Sequence, residues 1–135
     1  MPQRQYDDSL AWFPEDLENV DFKELTCEDG KLDKFAKKLG NKLKTTQLRK
    51  FFDEIKKIER NPEDIDNDLA LLVPKLKFAE ARGLSPRAFT NLISRIAKEV
   101  TTESDKDKKI RKFKNSVKLL EAIVAYHKYH YPKGG

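Results

Sequence analysis

The stretch 85–100, SPRAFTNLISRIAKEV, decides the fold class. Phe89, Leu92, Ile93, Ile96 and Val100 recur at spacings of three and four residues, which puts them on one side of a helix. Ahead of them Ser85-Pro86 supplies a cap and then a proline, the residue best tolerated in a first helical turn. Upstream, Leu69, Leu72, Val73, Leu76 and Ala79 predict another helix, entered through Asn61-Pro62 with Glu63 and Asp64 at its positive end. Gly83 is expected to end it in a left-handed cap, and Pro74 to bend or break it midway. Leu48, Phe51, Phe52, Ile55 and Ile58 predict a helix near 46–60, capped by Thr45 or Thr46. Leu32, Phe35, Ala36, Leu39 and Leu43 predict one near 31–43 that runs through Gly40. Downstream, a cap at Thr102 or Ser104 starts a long helix ending near Tyr131-Pro132, with Ile110, Phe113, Val117, Leu120 and Val124 on one face. No segment alternates at period two. The expectation is an all-α fold, a compact bundle of about five helices joined by short loops.

The 135 residues suit a single domain with an appendage. Residues 1–30 read as an irregular acidic N-terminal arm, partly ordered, that packs through Trp12 and Phe13 or covers basic surface as a counter-charge. Residues 31–131 form the helical domain, and 132–135 a frayed C-terminus. Apolar and charged residues each make up 38% of the chain, and no apolar run approaches the ~18 residues a membrane helix needs. Membrane insertion and export are disfavoured. Cys27, the single cysteine, suits a reducing cytoplasm, where the chain is expected to reside.

The net charge of +5 hides an asymmetry. Residues 1–30 hold nine acids and two bases, for −7, whereas residues 31–135 hold 14 acids and 26 bases, for +12. A body that basic favours a polyanion through Coulomb attraction and counterion release. At about 100° per residue, Arg49, Lys56 and Arg60 share one sector of the second helix with Lys50 and Lys57 beside them, interrupted by Asp53. On the third, Lys75 and Arg82 align, with Leu71 and Phe78 alongside. Phe78 is expected to bury itself, base stacking being the alternative. Arg87, Asn91, Arg95 and Lys98 on the fourth helix, and Lys108, Arg111, Lys112 and Lys118 on the fifth, oppose the apolar stripes and read as ordinary solvated outer faces.

Catalytic groupings are thin. His127 and His130 stand at i, i+3 and would need a third ligand to hold a metal; no metal and no cofactor are expected. Acidic neighbours disfavour a Cys27 thiolate, and there is no phosphate-binding glycine loop. The chain is read as not an enzyme. Leu119, Ile123, Tyr126 and His130 form a second stripe on the long helix, which implies either a central buried helix or a subunit contact.

Two blocks, KTTQLRKFF at 44–52 and LVPKLKFAEARG at 72–83, resemble the small subunit of the type III-A CRISPR-associated Csm effector complex, a likeness that extends over roughly residues 31–131. The resemblance implies a non-catalytic helical protein of antiviral defence, present in several copies that stack as a minor filament beside the subunits holding guide RNA. Its basic faces would line the channel of the guide and target RNA and contact mostly target-strand backbone. Partners are then guide and target RNA, the backbone and large subunits of the complex, and further copies of the chain. Carried onto this sequence, Lys44, Thr46, Arg49 and Lys50 match the first block, and Lys75, Lys77 and Arg82 the second, as RNA-binding residues. Pro74 and Glu80 depart from what the second block leads one to expect. Guide pairing supplies sequence specificity in such assemblies, so backbone-binding cations suffice. A stand-alone helical nucleic-acid-binding regulator, or an assembly adaptor without nucleic-acid contact, would suit the same bundle.

Overall fold

Each apolar stripe of the body becomes the buried side of one helix. The computed structural model describes residues 8–41 and 43–133; residues 1–7 of the arm and Gly134 and Gly135 of the expected frayed end lie outside them. The helices are α1 (Phe22–Thr26), α2 (Lys31–Leu39), α3 (Thr45–Arg60), α4 (Ile65–Ala81), α5 (Arg87–Thr101) and α6 (Lys106–His130), with 3-10 turns at Asp8–Leu10 and Pro62–Asp64 and no strand among the described residues. The fold is an all-α bundle. None of these helices is long and apolar enough to cross a membrane.

Three details correct the sequence expectation. First, α2 stops at Leu39 because Gly40 takes φ 73° and ψ 179°, a conformation essentially reserved for glycine; Leu43 still reaches the core, from the following loop. Second, neither threonine caps α3: Lys44 holds the N-cap position without a side-chain bond, and the Thr45 hydroxyl is buried with no partner. Third, of the bend or break expected at Pro74, the break does not occur: α4 is continuous from Ile65 to Ala81. Pro74 and Ala70 are both exposed, so water reaches the carbonyl that loses its donor, while Leu69, Leu72, Leu76 and Ala79 bury both halves of the helix together. The end of α4 follows expectation. Gly83 sits at φ 77°, its N–H bonds to the Glu80 carbonyl, and that of Leu84 bonds to the Ala79 carbonyl, a Schellman closure. At the start of α6 the cap is Asp105, whose carboxylate accepts from the Lys108 N–H at 3.0 Å.

Helix α6 is the axis of the bundle, touched by α1, α2, α3 and α5, while α4 packs mainly on α5. This explains its second stripe. Leu119 and Ile123 are interior, Tyr126 donates to the Thr26 carbonyl at 2.6 Å, and His130 Nε2 donates to Asp33 Oδ1 at 2.5 Å. Of the two readings of this stripe, the burial of Leu119 and Ile123 within the chain's own bundle fits the central helix, while Tyr126 and His130 are half-buried. The arm follows α6 along its length. Asn115 donates to the Leu17 carbonyl, Arg111 pairs with Glu18 at 2.6 Å, and Trp12, Phe13, Leu17 and Leu25 join the core.

Candidate nucleic-acid interface

Helices α3 and α4 pack with an open groove of about 950 Å³ between them. Thr46, Arg49, Lys50 and Lys57 reach it from α3 and Lys75 from α4, over a floor formed by Ile58, Leu71 and Leu72. Four of the seven expected RNA-binding residues thus meet there, and Lys44 stands exposed at the N-cap of α3. Lys56, expected on the same ridge, turns instead to Glu59 at 3.1 Å.

Lys77 and Arg82 lie outside the groove, and helical geometry says why. Two residues on α4 differ by about 200°, so Lys77 faces the α5 side when Lys75 faces α3. Seven residues bring Arg82 back almost to the azimuth of Lys75, about 10 Å further along the axis. There its guanidinium lies over the Phe78 ring at 5.7 Å from the centroid. Phe78 is 65% exposed, which corrects the expectation that it buries itself: the inward side of α4 is already filled by Leu72, Leu76 and Ala79.

Carboxylates share the groove. Asp53, Glu54 and Asp68 line it; Arg49 Nε is 4.0 Å from Asp53, and Lys75 Nζ is 3.1 Å from Glu54. Pairs this exposed contribute roughly 0–1 kcal/mol and exchange readily for a better anion, since the side chains are held by little else. Lys50 and Lys57 form no ion pair among the described residues. The groove is a row of cations, two of them loosely compensated, beside an exposed aromatic ring. It suits an anionic backbone and has no grouping that activates a nucleophile.

The histidines are committed elsewhere. His127 is fully buried, its Nε2 donating to the Gly40 carbonyl at 3.0 Å, and burial pushes its pKa down. The His130 hydrogen bond, followed by that from the Asp29 N–H, holds the Asp33 carboxyl below its ordinary value. Among the described residues no three His, Cys, Asp or Glu side chains group as metal ligands.

Against this geometry, the family model described as Csm2 Type III-A matches residues 26–133. The chain belongs to that family. Neither a curated protein nor a solved structure matches it. Membership makes this Csm2-family chain a structural subunit of a multi-subunit type III-A CRISPR complex. The match begins at Thr26, so it takes in all of α2 to α6 and leaves out Trp12, Phe13, Leu17 and Leu25, the arm residues that join the core. One basic feature escaped the sequence reading: Lys31, Lys34, Lys37 and Lys38 project from α2, and none comes within ion-pair distance of a carboxylate among the described residues. Its signal, four lysines opposite the Leu32 and Leu39 stripe, was present but resembled any solvated helix face.

Proposed function

We propose that this Csm2-family subunit is non-catalytic and holds target RNA by its backbone along the α3–α4 face, with copies of the chain stacked as a minor filament of the complex. The observation that carries the reading is the gathering of Arg49, Lys50, Lys57 and Lys75 in one open groove, with Phe78 and Arg82 continuing the same side of α4. Cations at helix edges bind phosphate without reading bases, which matches a role in which guide pairing selects the target. Contact between copies would use Tyr129, the exposed large apolar side chain away from the α3–α4 face, rather than the interior of α6. The exposed thiol of Cys27 suits the reducing cytoplasm that this reading assigns to the assembly.

The test is charge reversal of Arg49 and Lys50 to Glu within the assembled complex. Target RNA capture should fall at least tenfold at low salt, while circular dichroism of the variant remains helical. Undiminished capture would place the RNA path on another face.

A further inference from the structure

Two further grooves flank the 3-10 turn Asp8–Leu10, and Ser9 lines both. The larger, about 1120 Å³, runs between the end of α4 and α5; the smaller, about 500 Å³, runs along α2 beneath Trp12. Their electrostatics differ from those of the α3–α4 groove. There four cations stand among three carboxylates; here eight cations line the pair of grooves, and Glu80 is the one carboxylate among the described lining residues. Glu80 is already engaged, bonded by Arg87 Nε at 3.0 Å, and that bond holds its pKa down.

Each arginine is paired through one nitrogen. Arg87 uses Nε on Glu80, and Arg95 uses Nε on Glu99 at 3.3 Å while its guanidinium rests 4.5 Å from the centroid of the Phe13 ring. In both, no bond of the two terminal amino groups is seen among the described residues, which leaves a fork that matches phosphate oxygens. Along α5, Arg87, Asn91, Arg95 and Lys98 fall within a sector of about 80°, and eleven residues span about 16 Å, the length of roughly five stacked nucleotides at about 3.4 Å each. Across Ser9 the stripe of Lys31, Lys34 and Lys38 prolongs the row.

We propose that these two grooves form a second, continuous track for a single RNA strand, separate from the α3–α4 groove. A strand is favoured over an acidic protein segment because a protein interface needs a pocket for an anchoring side chain. Here Trp12 and Phe35 close against each other at 5.3 Å, 9% and 1% exposed, and leave only their edges at the surface. What the track offers is evenly spaced positive charge, interleaved with Asn91 and Ser94.

Lysine acylation footprinting on the intact chain tests this, with a 15-nucleotide oligouridylate as probe. Lys31, Lys34, Lys38 and Lys98 should all become protected with one shared midpoint. Lys34→Gln/Lys38→Gln and Arg87→Gln/Lys98→Gln should each weaken binding about fivefold at low salt and flatten the salt dependence by about one unit of log–log slope, as expected for about 0.7 per phosphate contact. Lysines of α2 that stay reactive, or two distinct midpoints, would overturn the continuous track. Equal protection by a 15-residue polyglutamate would make it a protein-facing surface. The Arg49→Glu/Lys50→Glu chain separates this proposal from the previous one. Protection lost in that variant means the RNA is held by the α3–α4 groove and the second track is wrong, whereas protection that persists stands whatever becomes of target capture in the complex. Because the footprint is measured on the unaltered chain, it decides the matter even where a variant fails to fold.

Discussion

The α3–α4 groove and the seam between α6 and the amino-terminal segment use similar polar side chains to opposite ends. In the groove, cations stand in solvent beside carboxylates they can leave. In the seam, side chains are spent on backbone carbonyls: Asn115 on Leu17, Tyr126 on Thr26, His127 on Gly40 and Tyr131 on Lys37. Where such a bond is shielded from water, removing its donor leaves a desolvated acceptor. Exposure and choice of partner, rather than residue type, separate binding surface from scaffold.

That contrast can be broken most forcefully in the seam. Ile123→Ala opens a cavity where no side-chain surface is exposed, and should cost about 2–5 kcal/mol in urea denaturation. Were the second stripe of α6 a subunit contact, the same change would disturb self-association and leave the denaturation midpoint nearly in place. Next comes Gly40→Ala, with an expected loss of about 1–3 kcal/mol. An added Cβ meets only the Lys38 carbonyl at 3.9 Å, so the cost is conformational and not steric. A loss under about half a kcal/mol would show that the α2 terminus relaxes without consequence.

A smaller effect distinguishes the histidines. Burial keeps the folded pKa of His127 below the ordinary 6.5, so the unfolded chain takes up a proton first as pH falls. The associated stability is fully present above about pH 6.5 and is lost progressively below it. Lowering the pH from 7.5 to 5 should therefore reduce Tm in the native chain and reduce it less in His127→Gln. The Asp33 carboxyl, held below 3.8, loses its contribution only at pH values beneath that window. Identical Tm shifts in both proteins would mean that His127 is not held neutral by burial.

Most of the bundle was legible because α2, α3, α5 and α6 each carry an apolar face whose spacing admits no other element, and because Gly83 announces its own left-handed closure. Pro74 left a bend or a break open, and sequence alone does not exclude the break, since that depends on whether the carbonyl four residues earlier reaches water. Gly40 misled: periodicity carried the eye to Leu43, but a side chain can join the core from a loop as well as from a helix. At the interface, Lys75 and Lys77 share one sequence block although their helical phases already set them apart. The lysines of α2 gave no distinctive signal, because a row of cations opposite an apolar stripe reads as solvated surface until the third dimension shows that, among the described residues, no carboxylate comes within ion-pair distance of it.

The central claim, that RNA is held by phosphate contacts in the α3–α4 groove, is tested most directly by the salt dependence of target capture in complexes carrying Arg49→Gln, Lys50→Gln and Lys75→Gln together. Because these side chains are exposed, the triple change should leave stability within about 1 kcal/mol of the native chain. The slope of log affinity against log salt should become shallower by about 2, as loss of three phosphate contacts requires. An unchanged slope, with affinity equal to the native complex at every salt concentration, would contradict it.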